Sequence, residues 1–326
     1  MFINIILLII GFIFLIKGAD IMVDGSASIA SRFGVSNFFI GLTIVAFGTS
    51  APELVVSTLA SLKGSAGIAL GNIIGSNISN TLLILGASAL VAPLLVRKKT
   101  LKTEIPFSLL SILAVFILAN DFLINKTNPN SLSRIDGLIL ILFFSIFIFY
   151  TFGISREKES FIEKTLEEIE EHPKKIKISL SFFYIIIGLF GLALGGDWIV
   201  RGAMGISRGF GISETLIGLT LVALGTSLPE LAASLSAAKK GHTDMAVGNV
   251  IGSNIFNLLW VLGLSAVIRD ISFAVFLNVD FAILFIVTIL LSFLIYFGKK
   301  NILGRGEGAL LLGIYVFYII FLIIRA

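Results

Sequence analysis

Two glutamates, Glu53 and Glu230, lie deep inside long apolar segments of the sequence. Placing an ionised carboxylate in the interior of a membrane costs about 2.5–3.5 kcal/mol of insertion free energy, so its presence there indicates a function. Serines stand three residues before and four residues after each glutamate, which places them on the same helical face: Ser50 and Ser57, and Ser227 and Ser234. A carboxylate flanked by hydroxyl groups offers oxygen ligands to a cation.

A proline precedes each glutamate, at Pro52 and Pro229. Proline lacks a backbone N–H group and clashes with the preceding turn, so it predicts a break in each helix. Such a break frees backbone carbonyl oxygens around residues 46–49 and 223–226. Unpaired carbonyl groups at membrane depth persist only where they line a cavity or bind a partner. A cation is the partner that their partial negative charge favours.

A second polar pattern follows about twenty residues after each glutamate. Asparagine, serine and asparagine recur at intervals of four residues, as Asn72, Ser76 and Asn80 and again as Asn249, Ser253 and Asn257. Glycines four apart, Gly71 with Gly75 and Gly248 with Gly252, predict that these helices pack closely, and we expect each to bring its polar stripe against the broken helix before it. All these ligands are oxygen, the set that Ca²⁺ accepts in groups of six to eight. Na⁺ accepts the same oxygens and would compete for them.

The composition requires a membrane protein. Of 326 residues 57% are hydrophobic and 13% charged, against about 45–50% and 25% in soluble domains. The chain has no cysteine, which excludes disulfides and thiolate metal sites, and no basic run interleaved with aromatic residues that would bind nucleic acid. We predict an all-α polytopic protein with ten transmembrane helices, at about 2–24, 36–60, 67–95, 104–120, 135–153, 179–201, 213–238, 244–268, 276–297 and 307–324.

The two halves of the chain repeat each other. A shift of 177 positions aligns them without a gap, with about 30 identities in the 54 positions from Ser36 to Ala89. Five spans per half is an odd number, so the second half enters the membrane from the opposite side, as in transporters with inverted repeats. We expect a five-helix repeat at 1–153 with its core at about 36–91, a linker at 154–178, and a second repeat at 179–326 with its core at about 213–268.

Loop charges predict the orientation in the membrane. The loops on the side of the linker hold 16 lysines and arginines, and the opposite side holds 6. By the positive-inside rule, the linker is cytoplasmic and both termini are extracellular in a multi-pass cell-membrane protein.

Other polar residues leave their roles open. Asp20 and Asp197 stand toward the ends of the predicted first and sixth spans, where capping or interfacial roles are expected. Asn72 and Asn249, like Asn77 and Asn254, could equally bind ions or hold helices together.

The repeated motifs resemble those of the cation/Ca²⁺ exchanger superfamily, in particular the prokaryotic Na⁺/Ca²⁺ exchangers. They are Gly48-Thr-Ser-Ala-Pro-Glu53 with Gly71-Asn-Ile-Ile-Gly-Ser-Asn-Ile-Ser-Asn80, and Gly225-Thr-Ser-Leu-Pro-Glu230 with Gly248-Asn-Val-Ile-Gly-Ser-Asn-Ile-Phe-Asn257. The resemblance implies carboxylate ligands at Glu53 and Glu230, side-chain oxygens from Ser50, Ser227, Ser76, Ser253, Asn80 and Asn257, and carbonyl oxygens from Ala46, Thr49, Ala223 and Thr226.

The same resemblance implies an antiporter that exchanges Na⁺ for Ca²⁺ by alternating access, with the first and sixth spans sliding against the others. Its partners are these two ions and the lipid bilayer, and we expect no cofactor and no obligate protein partner. Asn257 stands where the K⁺-dependent branch has aspartate, which weakens the case for K⁺ transport. A Ca²⁺/H⁺ antiporter is the main alternative, although the Thr-Ser before each Pro-Glu is typical of Na⁺-coupled members. An intramembrane carboxylate enzyme and a passive channel are lesser alternatives.

Overall fold

The computed structural model describes residues 2–121, 130–155, 176–209, 223–298 and 301–325. Its α-helices are α1 Phe2–Phe33, α2 Asn37–Ile40, α3 Ala46–Thr49, α4 Ala51–Leu62, α5 Ala66–Ser79, α6 Leu85–Val91, α7 Lys98–Lys102, α8 Glu104–Ala119, α9 Arg134–Ser155, α10 Ile178–Gly209, α11 Ala223–Thr226, α12 Leu228–Lys239, α13 Thr243–Ile255, α14 Leu262–Ile268, α15 Leu277–Phe297 and α16 Arg305–Arg325. Three π-helices join some of them, at Gly41–Val45, Asn80–Ile84 and Phe256–Val261. The strands are β1 Leu94–Leu95, β2 Ser131–Leu132, β3 Ile271–Ser272 and β4 Ile302–Leu303.

The predicted all-α polytopic fold is confirmed. Within the described residues, eight helices are long and apolar enough to cross a membrane, and the bent pair Asn37–Thr49 and Ala51–Leu62 makes a ninth span. The first part of the predicted seventh span, up to residue 222, lies outside the described residues, and α11 and α12 continue it. The layout therefore fits ten helices in two repeats.

The first span of each repeat pairs with its counterpart over its whole length. Helices α1 and α10 have 32 residues each and run antiparallel. Glycines bring the two backbones together: a Cβ atom added at Gly18 would lie 2.8 Å from the carbonyl oxygen of Gly188, and one at Gly188 would lie 2.7 Å from the carbonyl oxygen of Gly18. Antiparallel packing of equivalent helices is what an inverted repeat requires.

These two helices are longer than the hydropathy pattern predicted, since α1 extends to Phe33 rather than to about residue 24. Asp20 therefore lies inside the helix and does not cap its end. The Ser236 hydroxyl donates to Asp20 Oδ1 at 2.7 Å, and Lys240 Nζ lies 2.6 Å from Asp24 Oδ1. The repeat counterpart Asp197 is also internal to its helix. It pairs at 2.8 Å with Arg201 of the same helix, so neither aspartate caps a helix end, and the interfacial alternative stays a prediction.

Two short antiparallel strand pairs join the repeats. Strand β1 follows the third span and pairs with β4 before the tenth, whereas β3 follows the eighth span and pairs with β2 before the fifth. Each pair therefore links the two halves of the chain. The third and eighth spans lie innermost, with about three quarters of their apolar windows buried, and they carry the polar stripes.

Candidate functional site

Each broken helix has its break at a serine. Ser50 has φ −81° and ψ 8° between α3 and α4, and Ser227 has φ −87° and ψ 2° between α11 and α12. The prolines stand in the first turn of the new helix, where the missing N–H group would have had no helical partner in any case. The predicted break is thus confirmed. The segments before and after Ser50 are bent by 45°.

Both glutamates are completely buried at these breaks. Glu53 and Glu230 lie in the first turns of α4 and α12, where the positive end of the helix dipole stabilises a negative charge. Ser50 Oγ lies 2.7 Å from Glu230 Oε1, and Ser227 Oγ lies 3.4 Å from Glu53 Oε1, so each carboxylate accepts a hydrogen bond from the other repeat. Ser76 of the same repeat donates to Glu53 at 3.2 Å.

The second oxygen of each carboxylate makes no hydrogen bond within the described residues. Oε2 of Glu53 and Oε2 of Glu230 are both buried, and neither has a hydrogen-bond partner among the described residues. A buried acceptor without a partner costs about 1–3 kcal/mol, and more when it is charged. Two such oxygens at equivalent positions therefore indicate a ligand that supplies positive charge.

Hydrogen bonds between threonine and asparagine side chains connect the helix break of each repeat to the polar stripe of the other repeat. Thr49 Oγ1 donates to Asn249 Oδ1 at 3.2 Å, and Thr226 Oγ1 donates to Asn72 Oδ1 at 3.1 Å. The amide nitrogens of Asn249 and Asn72 then donate to Ser234 and Ser57 of their own repeats, at 2.9 and 3.0 Å. Both the oxygen and the nitrogen of each amide thus have a protein partner, so Asn72 and Asn249 hold helices together.

The last asparagine of each stripe presents an oxygen instead. Oδ1 of Asn80 and Oδ1 of Asn257 are buried and make no hydrogen bond within the described chain, whereas both amide nitrogens donate to a partner. Ser253 Oγ lies 2.9 Å from Ser50 Oγ and 3.5 Å from the carbonyl oxygen of Ala46.

The structure thus links most of the predicted ligand side chains through direct contacts. Hydrogen bonds join Ser50, Ser253 and Glu230 in one group, and Ser76, Ser227 and Glu53 in another. The remaining predicted ligands occupy matching positions in the two repeats: Thr49 and Thr226 end α3 and α11, Ala46 and Ala223 begin these helices, and Asn80 and Asn257 present free amide oxygens.

The donor set is two carboxylates with neutral oxygens. No group of three or more His, Cys, Asp or Glu side chains that could hold a metal occurs in the described part of the chain. Two negative charges can balance one divalent cation, and an all-oxygen set suits Ca²⁺ or Na⁺ rather than a softer transition metal.

The close packing predicted from glycine spacing occurs across the repeats. A Cβ atom at Gly248 would meet the carbonyl oxygen of Phe38, and one at Gly252 would meet that of Leu42, so α13 packs on the broken second span of the other repeat. The sequence pattern suggested packing within one repeat instead, because spacing alone does not identify the partner helix. For Gly71 and Gly75 the symmetry-related segment, residues 215–219, lies outside the described residues.

Sequence reasoning missed the π-helices beside the site. One begins at Asn80 and another at Phe256, next to Asn257. A π-turn inserts a residue into the helical repeat and changes the direction of the following side chains, and such turns occur often at functional sites. The residues that form them, such as Thr81-Leu-Leu-Ile84, carry no distinguishing pattern.

Comparison with known proteins identifies the family. The family model described as sodium/calcium exchanger protein matches residues 3–153 and 180–324. The chain belongs to the sodium/calcium exchanger family. This exchanger is 38% identical over 315 residues to the putative antiporter CaxA of Alkalimonas amylolytica, with 96% of each chain covered. It is 32% identical to the sodium/calcium exchanger MaX1 of Methanosarcina acetivorans, with 99% of this chain and 98% of the relative covered.

A solved structure supports the same assignment for this exchanger. The sodium-calcium exchanger NCX_Mj, soaked with Na⁺ and Sr²⁺, superimposes with a TM-score of 0.82 at 36% identity, and the match covers 98% of both chains. The resemblance suggested by the two motifs is therefore confirmed. The protein is a membrane exchanger of the cation/Ca²⁺ class, and family and fold indicate a transporter rather than an enzyme.

Proposed function

We propose that this exchanger moves Na⁺ and Ca²⁺ in opposite directions across the cell membrane. The observation that carries the proposal is that one side-chain oxygen each of Glu53, Glu230, Asn80 and Asn257 is buried without a hydrogen-bond partner among the described residues. They occur in two symmetric pairs: the carboxylate oxygens lie at the breaks of the second and seventh spans, and the amide oxygens lie in the π-helices of the third and eighth spans. Oxygen ligands with two negative charges match one Ca²⁺, and several Na⁺ ions can use the same oxygens.

The proposed ion ligands are the twelve positions that the motifs single out. Carboxylate oxygens come from Glu53 and Glu230, hydroxyl and amide oxygens from Ser50, Ser76, Ser227, Ser253, Asn80 and Asn257, and carbonyl oxygens from Ala46, Thr49, Ala223 and Thr226. Because Ser50 bonds to Glu230 and Ser227 to Glu53, an ion at the break would be shared by both repeats. Na⁺ and Ca²⁺ would occupy this region in turn, and that competition couples their fluxes.

Alternating access requires a part of the protein that moves as a unit. Helices α1 and α10 meet that requirement, since their backbones are in contact along an antiparallel glycine interface. Leu189 of α10 packs against Gly48 beside the first break, so a sliding movement of the pair would expose or cover the site. In this proposal both termini lie outside the cell and the linker lies in the cytoplasm, which is supported by the excess of lysines and arginines in the loops on the side of the linker.

The direct test is ⁴⁵Ca²⁺ flux into proteoliposomes that contain the purified protein, with a Na⁺, H⁺ or K⁺ gradient imposed separately. The proposal expects uptake driven by the Na⁺ gradient alone. Uptake driven by a pH gradient without Na⁺ would make the protein a Ca²⁺/H⁺ antiporter instead. Uptake without any counter-ion would indicate a passive channel.

A further inference from the structure

Two asparagines beside the ion site, Asn77 and Asn254, contact the asparagines that present free oxygens. The contacts cross between the repeats: Asn80 Nδ2 donates to Asn254 Oδ1 at 3.0 Å, and Asn257 Nδ2 donates to Asn77 Oδ1 at 3.1 Å. Both inner asparagines are at least nine-tenths buried. They therefore determine which end of each outer amide is left without a hydrogen-bond partner among the described residues.

The orientation in the first repeat depends on a threonine. The Thr81 hydroxyl donates its hydrogen to the carbonyl oxygen of Asn77 at 2.9 Å, so Thr81 Oγ1 can only accept from a further partner. That partner is Asn254 Nδ2, at 3.0 Å. Since the nitrogen of Asn254 is held by Thr81, its oxygen faces Asn80. Asn80 must then offer its nitrogen to Asn254, and its oxygen is left free.

The orientation in the second repeat depends on a backbone group. Asn77 Nδ2 donates at 3.0 Å to the carbonyl oxygen of Asn254, which has no hydrogen to donate. The oxygen of Asn77 is thereby directed at Asn257, whose nitrogen donates to it and whose own oxygen remains free. Leu258 occupies the equivalent position of this repeat. A threonine therefore orients the asparagine amide in the first repeat and a leucine cannot do so in the second.

We propose that Asn77, Asn254 and Thr81 are positioning residues, which hold the amide oxygens of Asn257 and Asn80 toward the transported cation. Without them an amide could turn its NH₂ group toward the site, and a donor hydrogen repels a cation. The proposal rests on the proposed function, because it assumes that the free oxygens bind the ion.

The test uses Thr81→Val, which keeps the shape of the side chain and removes the acceptor for Asn254. The purified protein is titrated with Ca²⁺, and binding is followed by the rise in its melting temperature. A neutral hydrogen bond contributes about 0.5–1.5 kcal/mol, so we expect Ca²⁺ to bind about two- to thirteen-fold more weakly. Thr81→Ser restores the hydroxyl group and should restore the affinity. If Thr81→Val does not fold, Thr81→Ala makes the same prediction.

Thr288→Val is the matched control. Thr288 is buried in α15, and its hydroxyl donates to the carbonyl oxygen four residues earlier, at 2.8 Å, as Thr81 does. Its loss should leave Ca²⁺ affinity unchanged.

A decisive readout is the double variant: in an Asn80→Ala background, Thr81→Val should weaken binding no further, because its effect acts through Asn80.

The outcomes separate the two proposals. If the unaltered protein does not bind Ca²⁺, the proposed function fails. If it binds Ca²⁺ but Thr81→Val binds equally well, or if the loss persists in the Asn80→Ala background, the positioning role is overturned while the proposed function stands.

Discussion

The Ser50 hydroxyl lies 2.7 Å from Glu230 Oε1, although 180 positions of sequence separate the two residues. In the pair related by the internal repeat, Ser227 Oγ lies 3.4 Å from Glu53 Oε1. Neither repeat therefore completes its own carboxylate environment. The candidate site belongs to the interface between the repeats, and substitutions on either side should affect the same ions.

Neutralising either glutamate should abolish Ca²⁺ exchange. Glu53→Gln and Glu230→Gln keep the shape of the side chain but leave one negative charge for a divalent ion. Losing one partner of a buried charge interaction costs about 2–5 kcal/mol, so we expect ⁴⁵Ca²⁺ uptake to fall at least about 30-fold. Glu307→Gln is the control, because Glu307 accepts a hydrogen bond from the Gly304 backbone at 3.1 Å and is not among the proposed ligands. Uptake near the unaltered level in either test variant would contradict the proposed site.

Exchange should transfer net charge across the membrane. The proposed ligands supply more oxygens than one Ca²⁺ needs, which would give room for more than two Na⁺ ions against one Ca²⁺. The rate of Na⁺-driven Ca²⁺ flux should then change when valinomycin and K⁺ gradients set the membrane potential. A rate that is the same at all imposed potentials would show that the exchange is electroneutral.

Asn257 should make Ca²⁺ flux independent of K⁺. Its amide offers a neutral oxygen, and Asn257→Asp would add a third negative charge beside Glu53 and Glu230. Like charges in so dry a place repel one another and favour a bound proton. We therefore expect the variant to become more sensitive to pH. The measurement is Ca²⁺ flux over a pH series, with and without K⁺, for both proteins. A requirement for K⁺ in the unaltered protein, or an unchanged pH profile in the variant, would contradict it.

The glycine interface between α1 and α10 should tolerate no methyl group. A Cβ at Gly188 would lie 2.6 Å from Met22 Cβ and 2.7 Å from a backbone oxygen. Overpacking of this kind costs about 1–3 kcal/mol, so Gly188→Ala should lower the melting temperature by several degrees. Gly313→Ala is the matched control in α16, where, among the described residues, no atom beyond the helix's own local backbone lies within 4 Å of the added Cβ. An equal melting temperature for the two variants would show that the interface can relax.

Acidification should destabilise the protein through His242. Burial lowers the pKa of His242 below its usual 6.5; Asp244 opposes this shift, Lys240 adds to it and Asp24 opposes it. The unfolded chain therefore binds the proton first as pH falls, so stability present above about pH 6.5 is lost progressively below it. His242→Gln should flatten this part of the curve of melting temperature from pH 8 to 5.5. His172→Gln, which alters the other histidine, serves as the comparison and should keep the slope.

Much of the site could be predicted because the same motifs occur in both repeats of the sequence. A single polar residue in a membrane helix has many explanations. Glu53 and Glu230, however, each have a proline directly before them, two serines on the same helical face and a later Asn-Ser-Asn stripe. The helix breaks were predictable too, because proline removes a donor whatever surrounds it. Tertiary contacts were not needed for either inference.

Other features depend on contacts that the sequence does not show. Asp20 suggested the end of a span, yet α1 continues to Phe33, and Ser236 of the other repeat donates a hydrogen bond to that carboxylate. The separate roles of Asn77 and Asn80 were also hidden, since both are asparagines in one polar stretch. Only the partners of each amide, which come from the other repeat, distinguish the residue that orients from the residue that is oriented.

The crosswise hydrogen bonds also have a consequence for how the protein is made. A ribosome adds about 5–20 residues per second, so about 10–40 s pass between the synthesis of Ser50 and that of Glu230. During that time the first half must stand in the bilayer with Glu53 and Asn80 lacking their later partners, in a solvent that satisfies no polar group. The half-made chain is therefore the most vulnerable form of this protein, and it should depend on membrane chaperones or insertases until the eighth span arrives.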